Sequence, residues 1–205
     1  MDALLLVDIQ NDFMPFGALP VADGDAVVPV ANLVVPRFEL VVATQDWHPP
    51  NHASFASNHH GKVAGDVIEM GGIEQVLWPD HCVQQQPGAS FHSGLDIAPI
   101  DHVVHKGTDA AIDSYSAFFD NLHLKETGLE GFLRAREVER IVILGLATDY
   151  CVLFTARDGR GLGFDVLVVG EGVRAVDLAP GDGDRALDEM RAAGCRVASA
   201  AEFGV

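Results

Sequence analysis

The chain has 205 residues, 48% of them apolar and 21% charged, with a formal net charge of −17. That length suits one sizeable hydrophobic core, so one domain over residues 1–205 is expected. The acidic balance argues against nucleic acid or an anionic membrane surface as partner, and no apolar run approaches the length needed to cross a bilayer.

In chain order, Ala3 to Ile9 reads as a buried strand. Its Ala3–Val7 run is too short for a secretion signal and has no basic flank, which makes a cytoplasmic protein the expectation. Ala26 to Val35 reads as a helix with Pro29 near its first turn, and Leu40 to Thr44 as the next strand. A stretch from about 47 to 99 follows, rich in Gly, Pro, His and Asn and far longer than an ordinary connection; ordered loops of this length are usually functional. His102 to His105 is a further strand, Leu129 to Val138 a helix, and Arg140 to Leu146 a strand whose apolar run Gly145 is expected to break. Thr148 is expected to cap a helix over Asp149 to Arg160. Asp165 to Val169 is a strand, Asp184 to Ala193 a helix, and Arg196 to Ala200 a last strand. Strands spaced by helices predict an α/β fold: a doubly wound, mostly parallel sheet with helices on both faces. Gly181-x-Gly183-x-x-Ala186 matches a loose dinucleotide pattern but follows no strand directly, and Asp182 and Asp184 would repel a pyrophosphate; it is read as a helix start.

Candidate chemistry gathers at strand ends, where sheets of this kind carry their sites. Cys151 is expected in the first turn of a helix, where backbone N–H groups and the helix dipole favour a thiolate. The odd count of Cys82, Cys151 and Cys195, with no C-x-x-C pair, gives neither a disulfide framework nor a zinc knuckle. Asp8 follows the first apolar run; it is either a cleft carboxylate or a loop cap, a role Asp12 could also fill. Lys106 ends the strand that begins near His102, either snorkelling to solvent or standing as a fixed cation beside a cysteine. A parallel sheet would bring Asp8, Lys106 and Cys151 to one edge.

Asp46 and His48 lie two apart in extended chain and can reach one metal ion, and His81 in Trp-Pro-Asp-His-Cys could complete the set. His52, His59, His60 and His92 compete for these roles. Such a donor set is compatible with zinc, iron or manganese.

Taken together these segments resemble the nicotinamidases among the isochorismatase-like cysteine hydrolases. The matching text is Leu-Leu-Val-Asp-Ile-Gln-Asn-Asp-Phe at 5–13, Thr-Gln-Asp-Trp-His-Pro-Pro-Asn-His at 44–52 and Trp-Pro-Asp-His-Cys-Val at 78–83. It continues with His-Lys-Gly at 105–107, Asp-Ser-Tyr-Ser-Ala-Phe-Phe-Asp at 113–120 and Gly-Leu-Ala-Thr-Asp-Tyr-Cys-Val at 145–152. The resemblance implies a three-layer α/β sandwich and a catalytic triad of Asp8, Lys106 and Cys151. It implies one divalent metal, foremost Zn2+ with Fe2+ or Mn2+ as alternatives, on Asp46, His48 and His81. Phe13, Trp78 and Tyr115 would line a pyridine pocket. A cis peptide before Ala147 would help aim the backbone N–H groups of Ala147 and Cys151 as an oxyanion hole. The implied reaction is hydrolysis of nicotinamide to nicotinate and ammonia through a thioester, with pyrazinamide also accepted; the alternative is a related amidase for another small carboxamide. The implied partner is the small-molecule substrate, and a homo-oligomer stays open.

Overall fold

Strand and helix alternate in the order the apolar patterning predicts. The computed structural model describes residues 1–204. In chain order they form β1 (Asp2–Val7), α1 (Val27–Val34), β2 (Val41–Asp46), β3 (Val67–Met70), β4 (Ile73–Val76), β5 (His102–Lys106), α2 (Leu129–Arg134), β6 (Arg140–Leu146), α3 (Leu153–Gly161), β7 (Asp165–Arg174), α4 (Asp182–Ala192) and β8 (Arg196–Ala198). Six strands make one sheet in the order β5-β2-β1-β6-β7-β8. Every neighbouring pair in it is parallel.

The apolar runs are continuous because both faces of the sheet are covered. Leu5, Val7, Ile141, Ile143, Val166 and Val168 face Leu133 of α2, Ala156 of α3 and Met190 of α4. Their alternates Leu4, Leu6, Val142, Leu144, Leu167 and Val169 face Val27, Ala31 and Val34 of α1. The chain starts in the middle of the sheet, winds out through β2 to β5, then returns to β6 and winds the other way. The crevice where the winding reverses therefore opens between the carboxyl ends of β1 and β6, the place where such sheets bind ligands.

One strand keeps its expected bounds, and three expectations are corrected. β6 runs from Arg140 to Leu146 as expected, with Gly145 inside it. The glycine is needed because the backbone of β1 comes so close that a Cβ would stand 2.0 Å from the Val7 carbonyl oxygen. Thr148 does not cap a helix. Residues Thr148–Val152 form one wide turn whose cap residue is Ala147, and the Thr148 side chain makes no cap bond. The Val152 N–H donates to Ala147 O at 3.1 Å, an i to i+5 bond, and α3 starts only at Leu153. β7 extends five residues past Val169, to Arg174. Finally, the long stretch after β2 contains an unforeseen antiparallel hairpin, β3–β4, turned at Gly71-Gly72, both at positive φ. The rest of that stretch is held across the carboxyl edge by single bridges, among them His48 to Val83 and Phe55 to Trp78. Gly181 caps α4, with Asp182 and Asp184 in its first turn, as a helix start requires. Among the described residues no helix is long and apolar enough to cross a membrane.

Candidate active site

Asp8 is the first residue beyond β1. It turns out of the sheet in the left-handed region, φ +48°, a conformation Asp tolerates better than most residues. Neighbouring β2 fixes it there: the Thr44 hydroxyl donates to Asp8 Oδ1 at 2.6 Å, and the Asp8 N–H donates to Thr44 Oγ1 at 3.2 Å. Lys106, the last residue of β5, reaches under β2 into the same space. Its Nζ lies 2.9 Å from Asp8 Oδ2, 2.5 Å from Asp46 Oδ1, 3.0 Å from Ser114 O and 3.2 Å from Cys151 Sγ. Asp8 and Lys106 are almost wholly buried, and Cys151 is only 6% exposed. An Asp8 oxygen, an Asp46 oxygen and the Cys151 sulfur fall within 4.8 Å of one another. Asp8 Oδ2, though close to the ammonium, accepts no aligned hydrogen bond.

Burial and charge set the protonation states. Burial opposes the Lys106 ammonium, but Asp46 and Asp8 outweigh it and raise its pKa well above the ordinary lysine value. Burial likewise opposes the Asp46 carboxylate, and Lys106 overrides it, leaving the acid far below the usual range. At Asp8 burial wins over Lys106, and the pKa is raised. At Cys151 burial also prevails, so the pKa stands well above that of an ordinary thiol although Lys106 pulls it down. Burial thus opposes the thiolate that a helix start would favour at Cys151, and Lys106 and a neighbouring base work against that penalty. The Leu146–Ala147 peptide just ahead of its turn is cis, as the resemblance implies.

Asp46, His48 and His81 are brought together as a divalent metal-binding site. All three are buried. Asp46 Oδ2 lies 3.7 Å from His48 Nε2 and 3.9 Å from His81 Nε2, and the three donor atoms fall within 4.8 Å of one another. The other ring nitrogens are already used: His48 Nδ1 donates to Gly107 O at 2.9 Å and His81 Nδ1 to Pro79 O at 2.8 Å. That leaves both Nε2 lone pairs facing the Asp46 oxygen, the orientation in which imidazoles bind a metal. The residues thus fit a divalent ion. The competing histidines do not join them. His52 Nδ1 accepts from the Ser54 backbone N–H at 3.3 Å and its buried, unpartnered Nε2 groups with His48 and Asp113 rather than with Asp46 and His81; His59 Nε2 bonds Ala53 O, His92 Nδ1 accepts from Gly94 N–H, and His60 is exposed.

A cleft opens over the sulfur. Phe13, Trp78 and Tyr115 line it, along with His81, Ala147 and Cys151. Leu19, Asp113, Tyr150 and Val176 line it too and were not foreseen. Gln10 was also missed. Its side chain grips the Asp46 backbone from both sides, Nε2 donating to Asp46 O at 2.8 Å and Oε1 accepting from Asp46 N–H at 2.9 Å. The only sequence hint was a polar residue two places beyond Asp8. Asp149 accepts from the N–H groups of Val176 and Asp177, both at 2.9 Å, and so ties the loop after β7 to the turn bearing Cys151.

Known proteins match this arrangement along its whole length. The isochorismatase domain family matches residues 2–202. The nicotinamidase of Escherichia coli K12 is 47% identical over 205 residues, covering 98% of this chain and 96% of that protein. A solved nicotinamidase/pyrazinamidase from Acinetobacter baumanii superimposes with a TM-score of 0.96 at 42% identity, covering 98% of this chain and 97% of that one. The pyrazinamidase of Pyrococcus horikoshii, solved in complex with zinc, superimposes with a TM-score of 0.79 at 38% identity, covering 97% and 98%.

Proposed function

The chain belongs to the isochorismatase family of hydrolases, and we propose that within it Asp8, Lys106 and Cys151 are the working groups of a nicotinamidase. The enzyme hydrolyses nicotinamide to nicotinate and ammonia by a cysteine-dependent route, and pyrazinamide is a second substrate. The observation that carries the assignment of residues is the Lys106 ammonium, 2.9 Å from an Asp8 oxygen and 3.2 Å from Cys151 Sγ, at the floor of the cleft.

The open Oδ2 lone pair of Asp8 takes the proton of the Cys151 thiol as sulfur attacks the amide carbon. Lys106 balances the negative charge while it moves from carboxylate to sulfur. The carbonyl oxygen, now anionic, is received by the backbone N–H groups of Ala147 and Cys151; one such donor is typically worth about 100- to 1000-fold in rate. Asp8 returns its proton to the amide nitrogen, the C–N bond breaks, and ammonia leaves a nicotinoyl thioester on Cys151. A water then gives its proton to Asp8 and its oxygen to the acyl carbon. Nicotinate departs as sulfur regains the proton from Asp8. Phe13, Trp78 and Tyr115 hold the flat ring. Asp46, His48 and His81 would hold the divalent ion, zinc foremost and iron or manganese on the same donors, and the ion would supply Lewis acidity to orient the ring.

We take residues 1–205 as one domain, which the family match over 2–202 supports. A cytoplasmic setting is supported by three buried free cysteines, which suit a reducing compartment. Self-association into a homo-oligomer is left to a measurement of mass in solution.

Ammonia release measured across a panel of amides tests the function. Nicotinamide and pyrazinamide should be turned over, with isochorismate and simple aliphatic amides inert, and Cys151→Ala should abolish turnover. Equal rates on aliphatic amides would favour the amidase for other small carboxamides, and activity retained in Cys151→Ala would remove the thioester route.

A further inference from the structure

The β3–β4 hairpin stands outside the main sheet, and its side chains are at least partly exposed except one. Gln75 is 3% exposed. Its amide nitrogen lies 2.8 Å from Val76 O, 3.0 Å from the Tyr115 hydroxyl and 3.3 Å from Asp113 Oδ2. Three acceptors around one NH2 settle which end of the amide is nitrogen. One proton serves Val76 O, and the other is shared by the phenol and the carboxylate. The Trp78 indole N–H donates to the same phenol oxygen at 3.2 Å. Tyr115 and Trp78 each meet Tyr150 edge to face, with ring centroids 5.3 and 4.8 Å apart. All three rings line the cleft beside Cys151, whereas Gln75 does not.

Packing alone does not seat the hairpin. A mostly apolar crevice of about 360 Å³, lined by Met70, Ile73, Ile112 and Leu122, lies on the outer side of Gln75. The polar tie at Gln75 is therefore the part of the hairpin that registers it against the cleft.

We propose that Gln75 is a positioning residue for substrate binding: acting through the Tyr115 hydroxyl, it fixes the spacing of the aromatic walls that grip the ring. The identity of the ligand rests on the nicotinamidase reading; the wall-setting role does not. A residue that merely anchored the hairpin would act whether or not Tyr115 carried its hydroxyl. A residue that positions the slot through that hydroxyl would not.

Gln75→Met keeps the length and removes the donors. It should raise KM for nicotinamide roughly three- to tenfold, the worth of one neutral hydrogen bond, and leave kcat within about twofold. Gln75→Glu, which adds charge beside Asp113, should raise KM further. In a Tyr115→Phe background Gln75→Met should change nothing more. An unchanged KM in both variants, or an equal effect in the Phe background, would overturn the proposal. A readout without turnover separates this from the assigned reaction. The chain has two tryptophans, so Trp47→Phe leaves Trp78 as the sole reporter. Gln75→Met should then lower Trp78 fluorescence anisotropy when Tyr115 is present and leave it unchanged in Tyr115→Phe. Constant anisotropy in both backgrounds would sink the proposal even if nicotinamide were turned over.

Discussion

Lys106 offers its three protons to Asp46, the Ser114 carbonyl and the Cys151 sulfur, and stands beside the Asp8 carboxylate as an ion pair, so it reads the charge of the whole centre. Its pull on the Cys151 thiol is opposed by burial, which raises the pKa well above the ordinary value. Two consequences can be measured together. Iodoacetamide should label Cys151 before Cys82 or Cys195, since only Cys151 lines the cleft. Its labelling rate should climb steadily as pH rises through neutrality and beyond, because the thiolate fraction is still growing there. A plateau near pH 7 would mean the thiol is already ionised. Asp8, Lys106 and Cys151 were legible in the sequence because each sits where an apolar run stops. Gln10, Gln75 and Asp113 were not, because the bonds that tie each to the site reach partners some 36 to 40 residues distant that pairing alone brings near.

The elements that matter most are the ones whose ends the apolar pattern blurred. Gly145 looks like a strand breaker, yet it sits inside β6 at φ +129° against the β1 backbone. Gly145→Ala would drive a methyl into Val7 O and force an L side chain into a region it avoids. It should destabilise the protein by more than about 3 kcal/mol and displace the turn carrying Cys151. Chemical denaturation and ammonia release should fall together; an unaltered midpoint would mean that β1 can give way. The fold class and strand order of appearance were readable because buried parallel strands leave unbroken apolar runs. The hairpin was not, since its four-residue strands are mostly exposed and carry no such run; Gly71-Gly72 was its one turn signal.

At the scale of the molecule, the buried histidines link stability to acidity. His52 is fully buried, and burial, reinforced by nearby His48, lowers its pKa from 6.5 to about 4. The unfolded chain then binds a proton near pH 6.5 that the folded one refuses until about pH 4. Stability contributed by neutral His52 is thus whole above pH 6.5 and is lost as pH falls toward 4. A bound divalent cation would push in the same direction. Melting temperatures should drop across that window, and His52→Asn should flatten the drop; an unchanged slope would point to other groups.

Among the described residues β5 has a neighbour on one side only, β2. Boundary strands of a sheet open to solvent at lower free energy than its centre, by local fluctuations that leave the remainder folded. The cation of the centre rides on the last residue of that strand. Turnover should therefore fail at urea concentrations where far-ultraviolet circular dichroism is still native, and the amides of Val103 to Lys106 should exchange with deuterium sooner than those of β1 or β6. Inactivation that coincides with global unfolding would show that the carboxylates of Asp8 and Asp46 hold β5 as firmly as a second neighbouring strand would.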